Sequence, residues 1–131
     1  MRAIVASVGK PADIYSAQCP SRLVLGHIAN KWTILIIDAL APGTMRYTEL
    51  QRRIQGVSQK MLTQTLRRLE ADGFVVRTVH PTIPPRVEYH LTDLGHSLRV
   101  PIAAIRDWTE TNINEIEQAR AGVGAPPLGH D

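Results

Sequence analysis

The sequence predicts a mainly α-helical domain with a small β-hairpin. Apolar residues recur at helical spacing over most of the chain, two segments after residue 73 alternate as β-strands do, and Pro- or Gly-containing turns separate the elements. The 131 residues suit a single domain that folds without disulfides or metal. A hydrophobic fraction of 44% excludes a fully disordered chain.

Two helices are predicted at the start of this domain. Segment 21–29 is a short amphipathic helix, and Pro20 stands at its first turn, where proline is favoured. Segment 31–41 is apolar on nearly every side, which predicts a helix in the middle of the core. It ends at Pro42-Gly43, because this pair breaks helices strongly.

A short strand at 45–47 and a third helix come next. Thr48 has the chemistry of an N-cap residue, and Glu49 lies in the first turn, where an acidic side chain interacts favourably with the helix dipole. Residues 55–57 predict a tight turn before a fourth helix.

The fourth helix is predicted from Ser58, its cap, to Asp72, with Gly73 as the stop signal. Its two faces differ in chemistry. The inner stripe is Met61, Leu62, Thr65, Leu66 and Leu69. The outer face is Gln59, Lys60, Thr63, Gln64 and Arg67.

A hairpin and a last helix complete the domain. Segment 74–80 alternates and is β-branched, 86–91 does the same, and the Pro-rich stretch 81–85 between them must be a loop. Thr92 or Asp93 caps the last helix.

Pro101 predicts a kink or break within this last helix. We expect a flexible N-terminal arm at 1–17, one domain at 18–119 and a flexible C-terminal tail at 120–131.

This order of elements predicts a winged helix-turn-helix. Two short helices joined by a Gly-containing turn precede a hairpin, which supplies the wing. The major groove of DNA admits one helix, which needs an apolar back and a polar front. Glutamine can read adenine, Arg and Lys can read guanine or grip phosphate, and the helix start suits a phosphate. The predicted DNA-binding residues are Ser58, Gln59, Lys60, Thr63, Gln64, Arg67 and, after the wing loop, Arg86.

The charge is concentrated in the same region of the chain. Residues 46–86 carry a net charge of +5, and the remainder carries −2. A basic middle of this kind is typical of polyanion-binding modules, although a solvated Arg-rich surface would give the same count.

At these residues the sequence resembles the HxlR-type family of bacterial winged helix-turn-helix transcriptional regulators, relatives of the MarR-like group. The resemblance covers roughly residues 18 to 110, and it implies a homodimer, formed by the first and last helices, on a palindromic operator. The segments that carry it include Cys19-Pro20, Lys31-Trp32-Thr33-Ile34-Leu35, Arg46-Tyr47-Thr48-Glu49-Leu50, Gly56-Val57-Ser58-Gln59-Lys60-Met61-Leu62-Thr63, Leu69-Glu70-Ala71-Asp72-Gly73-Phe74, Pro84-Pro85-Arg86-Val87-Glu88-Tyr89 and Leu91-Thr92-Asp93-Leu94-Gly95.

Dimerisation also has a physical argument. The last helix carries Ile105, Trp108, Ile113 and Ile116, more apolar surface than so small a body needs to cover. A single module makes few contacts, whereas two half-sites about 34 Å apart supply specific affinity. The alternative is that this helix packs only on its own domain.

Cys19 is the chain's single cysteine and a candidate redox sensor. It is predicted at the start of the first helix, where the pKa of a thiol falls. In several members of the resembled family a cysteine here senses oxidants or electrophiles. The alternative is a small buried hydrophobe.

Other functions find less support. The main alternative is a winged-helix adaptor that binds protein rather than DNA. No nucleophile–base signature, phosphate loop, paired carboxylates or metal-ligand spacing indicates an enzyme, a cofactor or a metal site. No apolar run is long enough to cross a bilayer, so we expect a cytoplasmic protein without a membrane partner. The sequence identifies no small-molecule effector.

Overall fold

The fold comes from a computed structural model that describes residues 11–129, and within them the predicted mainly α-helical class with a small antiparallel sheet is confirmed. The elements are α1 (Pro20–Ile28), α2 (Lys31–Leu40), β1 (Met45–Arg46), α3 (Tyr47–Arg53), α4 (Gln59–Ala71), β2 (Val75–His80), β3 (Arg86–Leu91), α5 (Asp93–Ser97) and α6 (Arg99–Gly122). Of the predicted arm at 1–17, residues 1–10 lie outside the described residues, as do residues 130 and 131 of the predicted tail. The domain boundaries therefore stay predictions.

The core forms around α2 and α4, which pack against each other. The sheet covers them, with α4 against β2 and α2 against β3, and α6 packs on α2. Burial of α2 confirms its predicted central place. The residues that these two helices bury are Thr33, Ile36, Ile37, Leu40, Leu62, Thr65, Leu66 and Leu69.

α1 lies at the edge of this core. Val24 and Ile28 pack against it, but no residue of α1 is fully buried, and Leu23 and Leu25 are exposed. Among residues 11–129, no single helix is long and apolar enough to cross a membrane, and α1 with α2 meets that description only as a pair bent by 72°.

The sheet has three antiparallel strands in the order β1-β3-β2. In the predicted hairpin Val75 lies opposite Leu91 and His80 opposite Arg86, so β2 and β3 pair along their full length. β1 adds a third strand on the free side of β3.

The predicted start of α3 at Thr48 is wrong. Tyr47 is already helical rather than in the strand, and Arg46 is the cap residue. The Arg46 N–H donates to Glu49 Oε1 at 2.7 Å, so the Glu49 carboxylate satisfies the donor that precedes the helix.

The predicted interruption of the last helix is real, but it lies at Leu98 instead of Pro101. Pro101 has no N–H to donate to the carbonyl of Ser97, four residues earlier. The first of the two helices, α5, therefore ends at Ser97, and α6 begins at Arg99. Leu98 donates to Gly95 O in a tight last turn of α5. Pro101 then sits in the first turn of α6, where a missing N–H leaves no bond unmade.

Gly95 gives a test of the packing between α5 and the sheet. A Cβ at this position would clash with the Phe74 carbonyl oxygen and lie 3.1 Å from the carbonyl carbon. Since backbone must move, we expect Gly95→Ala to lower the free energy of unfolding by about 1–3 kcal/mol in urea denaturation. The control is Gly43→Ala, because a Cβ there meets nothing within 4 Å and the change should stay within about 0.5 kcal/mol. Equal stability of both variants would contradict this account.

Candidate nucleic-acid interface

Residues at the two ends of α4 determine where this helix begins and ends. At the start, Ser58 Oγ accepts a hydrogen bond from the Met61 N–H at 3.0 Å. At the end, Gly73 takes a φ of +83°, which lets the Phe74 N–H reach the Leu69 carbonyl at 2.9 Å. The predicted cap and stop signal of this helix are therefore confirmed.

The outer face of α4 is directed away from the core. The predicted contact residues Gln59, Lys60, Gln64 and Arg67 are exposed, and Thr63 is half-buried. Tyr47 of α3 braces this face, because its hydroxyl lies 3.0 Å from Thr63 Oγ1 and donates to the Gln59 carbonyl at 3.2 Å. Gly56, in the turn between α3 and α4, takes a φ of +88°, which glycine adopts without strain.

An open cleft of about 920 Å³ separates α4 from the wing. Its charge is strongly positive, since four arginines and one glutamate line it. The charged lining residues are Arg46, Arg67, Glu70, Arg77 and Arg86.

Arg77 was missed as a site residue in the sequence. It lies opposite Tyr89 in the β2–β3 register, and both side chains line the cleft. Burial raises the pKa of the Tyr89 hydroxyl, and Arg77 opposes that shift. The sequence did contain a signal for Arg77. In β2 it lies on the same side as Val75 and Val79, where the alternation of the strand predicts another apolar residue.

Arg86 is not a free cation. Its Nε lies 3.2 Å from Glu88 Oε2, and the other carboxylate oxygen of Glu88 lies 2.8 Å from His80 Nε2. These contacts, that of His80 above all, hold the pKa of Glu88 below its usual range. Arg86 thus lines the cleft while its guanidinium lies beside the Glu88 carboxylate.

Cys19 lies at the N-cap position of α1, at the start of the first helix as predicted, and is partly exposed. Its side chain makes no cap hydrogen bond. Its Sγ lies 3.0 Å from Ser21 Oγ and accepts from the Asp13 N–H at 3.3 Å. These hydrogen bonds, that of Ser21 first, lower the pKa of the thiol. Among the residues that the structure describes, no three His, Cys, Asp or Glu side chains are grouped to hold a metal ion.

Comparison with known proteins identifies the family. The model of the HxlR-like helix-turn-helix matches residues 27–117, which contain the α4 face and the wing. The chain belongs to the HxlR-like helix-turn-helix family. It is therefore a transcriptional regulator of the helix-turn-helix type, as the resemblance in its sequence predicts.

Relatives of this HxlR-like chain match it along most of their length. The HTH-type transcriptional regulator YtfH of Escherichia coli (strain K12) is 47% identical over 111 residues, 85% of this chain and 88% of the relative. The structure of the transcriptional regulator ytfH from Salmonella typhimurium has a TM-score of 0.81 at 44% identity and covers 85% of this chain and 99% of that one. The redox regulator HypR in its oxidized form has a TM-score of 0.66 at 38% identity and covers 72% and 97%.

Proposed function

We propose that this regulator binds a palindromic DNA operator as a homodimer, with α4 of each copy in the major groove. One observation carries the proposal: α4 buries its apolar back while its polar front stands exposed beside an arginine-lined cleft. A helix of this kind fits the major groove, and the cleft suits the adjacent phosphate backbone.

The side chains of α4 supply two kinds of contact. Gln59 and Gln64 can pair with adenine, and Arg67 and Lys60 can read guanine or bind phosphate. The Thr63 hydroxyl is engaged by Tyr47, so the methyl group of Thr63 remains for a thymine methyl. Ser58 places the first amides of α4 toward a phosphate, and Arg86 stays a predicted backbone contact.

Selection of bound sites from random duplexes gives the operator and tests this reading face. Against that operator, we expect Arg67→Ala and Gln64→Ala each to weaken binding by about 1–3 kcal/mol and to relax one base position. Fluorescence anisotropy at several salt concentrations measures both effects.

The control for Arg67→Ala is Arg99→Ala, which removes the same charge from the start of α6, away from the cleft. Unchanged binding by both α4 variants would refute the reading face. Operator binding that does not weaken with salt would favour the protein-binding adaptor, because only phosphate contacts release condensed counterions.

The dimer in this proposal is formed by α1 and α6. Both helices expose large apolar side chains that the described chain leaves uncovered. Exposed apolar side chains in this number on a small domain favour a protein interface. A twofold dimer would also place two copies of α4 on half-sites one DNA turn apart. The exposed apolar residues are Leu23, Leu25, Val100, Ile105, Trp108 and Ile113.

Trp108→Glu tests the interface. Trp108 is 60% exposed within one chain, so a carboxylate here leaves the fold intact but places a charge in the proposed contact. We expect a monomer in sedimentation equilibrium and loss of binding to the operator with both half-sites. The control Val123→Glu, beyond the end of α6, should stay dimeric. A dimeric Trp108→Glu protein would place the interface elsewhere.

The proposal also includes regulation through Cys19. Its lowered pKa favours the thiolate, which attacks hydrogen peroxide. The O–O bond breaks, the sulfur keeps one oxygen and, with one proton from solvent, sulfenic acid forms and water leaves. Sulfenic acid then forms a disulfide with a small thiol or with Cys19 of a second copy, again releasing water. HypR, solved in oxidized and reduced forms, is a relative with a redox role.

Two substitutions test the sensor. We expect mild peroxide to weaken operator binding by the parent protein and not by Cys19→Ser. Ser21→Ala removes the hydrogen bond that lowers the pKa most, so the pH midpoint of thiol alkylation should rise and the rate near pH 7 should fall. A Cys19→Ser protein that responds to peroxide as the parent does would end the sensor proposal.

A further inference from the structure

The tip of the wing presents an apolar side chain and no charge. The loop between β2 and β3 reads Pro81-Thr82-Ile83-Pro84-Pro85, and Ile83 is fully exposed. A single exposed isoleucine is ordinary on a protein surface, so its setting must decide whether it has a function.

The first feature of this setting is a stiff loop. The Thr82 hydroxyl donates to the Pro84 carbonyl at 2.8 Å, and the Thr82 N–H donates to the His80 carbonyl at 2.8 Å. The prolines fix their own φ angles. The Ile83 side chain is thus presented in a prepared position, which lowers the entropy lost when it binds.

The second feature is the charge behind the tip. Glu88 pairs with both Arg86 and His80, so the arginine nearest the tip in the sequence already has a carboxylate partner, and residues 81–85 carry no charge. The tip therefore offers mainly apolar surface to whatever molecule it contacts.

The third feature is the position of the tip. Loop residues 82–85 line the same cleft as Arg67 of α4, so a duplex held by α4 passes the wing. β2 and β3 have six residues each, which gives the wing a reach of about 20 Å. With α4 in the major groove, as proposed, this reach is available for contact with the neighbouring minor groove, which is about 6 Å wide.

We propose that Ile83 is a specificity-determining residue that enters the minor groove as an apolar wedge beside each half-site. Apolar side chains, isoleucine and proline among them, kink DNA where they insert between stacked base pairs. Pyrimidine–purine steps unstack most easily, so the wedge favours operators with such a step under the wing. The inference rests on the proposed operator binding and assigns the wing a role separate from that of α4.

The test compares the parent with Ile83→Ala, Ile83→Leu and Ile83→Arg on the selected operator. Anisotropy from about 50 to about 200 mM salt gives affinity and its salt dependence, and energy transfer between labelled DNA ends gives the bend. Ile83→Ala should weaken binding on the order of tenfold, straighten the DNA and lose preference for the flexible step, with an unchanged salt slope. Ile83→Leu should behave as the parent, and Ile83→Arg should steepen the slope by about 0.9.

Two failures are distinguishable. A parent protein that selects no duplex overturns operator binding and the wedge together. A parent that selects an operator, with an Ile83→Ala protein of equal affinity, bend and step preference, overturns the wedge alone. A weaker Ile83→Ala protein that bends DNA as the parent does also overturns it, and assigns the tip to surface contact. The fully exposed position keeps all three variants folded, which circular dichroism verifies.

Discussion

The packing of the apolar stripe of α4 against α2 is the constraint on which the rest of the structure depends. Leu62, Leu66 and Leu69 are almost fully buried, so rotating α4 about its axis would expose leucine and bury glutamine or arginine. Such a rotation costs several kcal/mol for each side chain exchanged. The same burial therefore fixes which side chains face outward, and the position of α3, the cleft and the wing follow from it.

The wing is tied to the end of α4 rather than left free. The Thr92 N–H donates to the Phe74 carbonyl, and the Thr92 hydroxyl donates to the Gly73 carbonyl at 2.6 Å while accepting from the Gly95 N–H at 3.0 Å. From the other side, Asp72 lies 2.7 Å from His27 of α1. These contacts connect α1, the end of α4 and the wing around residues 72–74.

The surface divides into regions of different chemistry. Positive charge gathers in the cleft, apolar surface lies on α1 and α6, and the wing tip is uncharged. Such a division keeps the charged surface and the apolar surface of one small domain apart. Arg86 lines the cleft and is also paired with Glu88, its neighbour on β3.

The sequence by itself determined what depends on neighbours along the chain: the class of fold, the Ser58 cap, the Gly73 stop and the two faces of α4, because caps and helical period are local. It misplaced the start of α3 and the break at Leu98 by a residue or a few, since several nearby groups could serve there. Only the tertiary structure decided that Arg86 is paired, that Arg77 lines the cleft and that Tyr47 holds Thr63. Tyr47 joins α3 to α4, and Arg77 is placed in the cleft by the β2–β3 register. Glu88 pairs with Arg86 along β3 and is held across the sheet by His80. This packing and register arise only when the whole chain is folded.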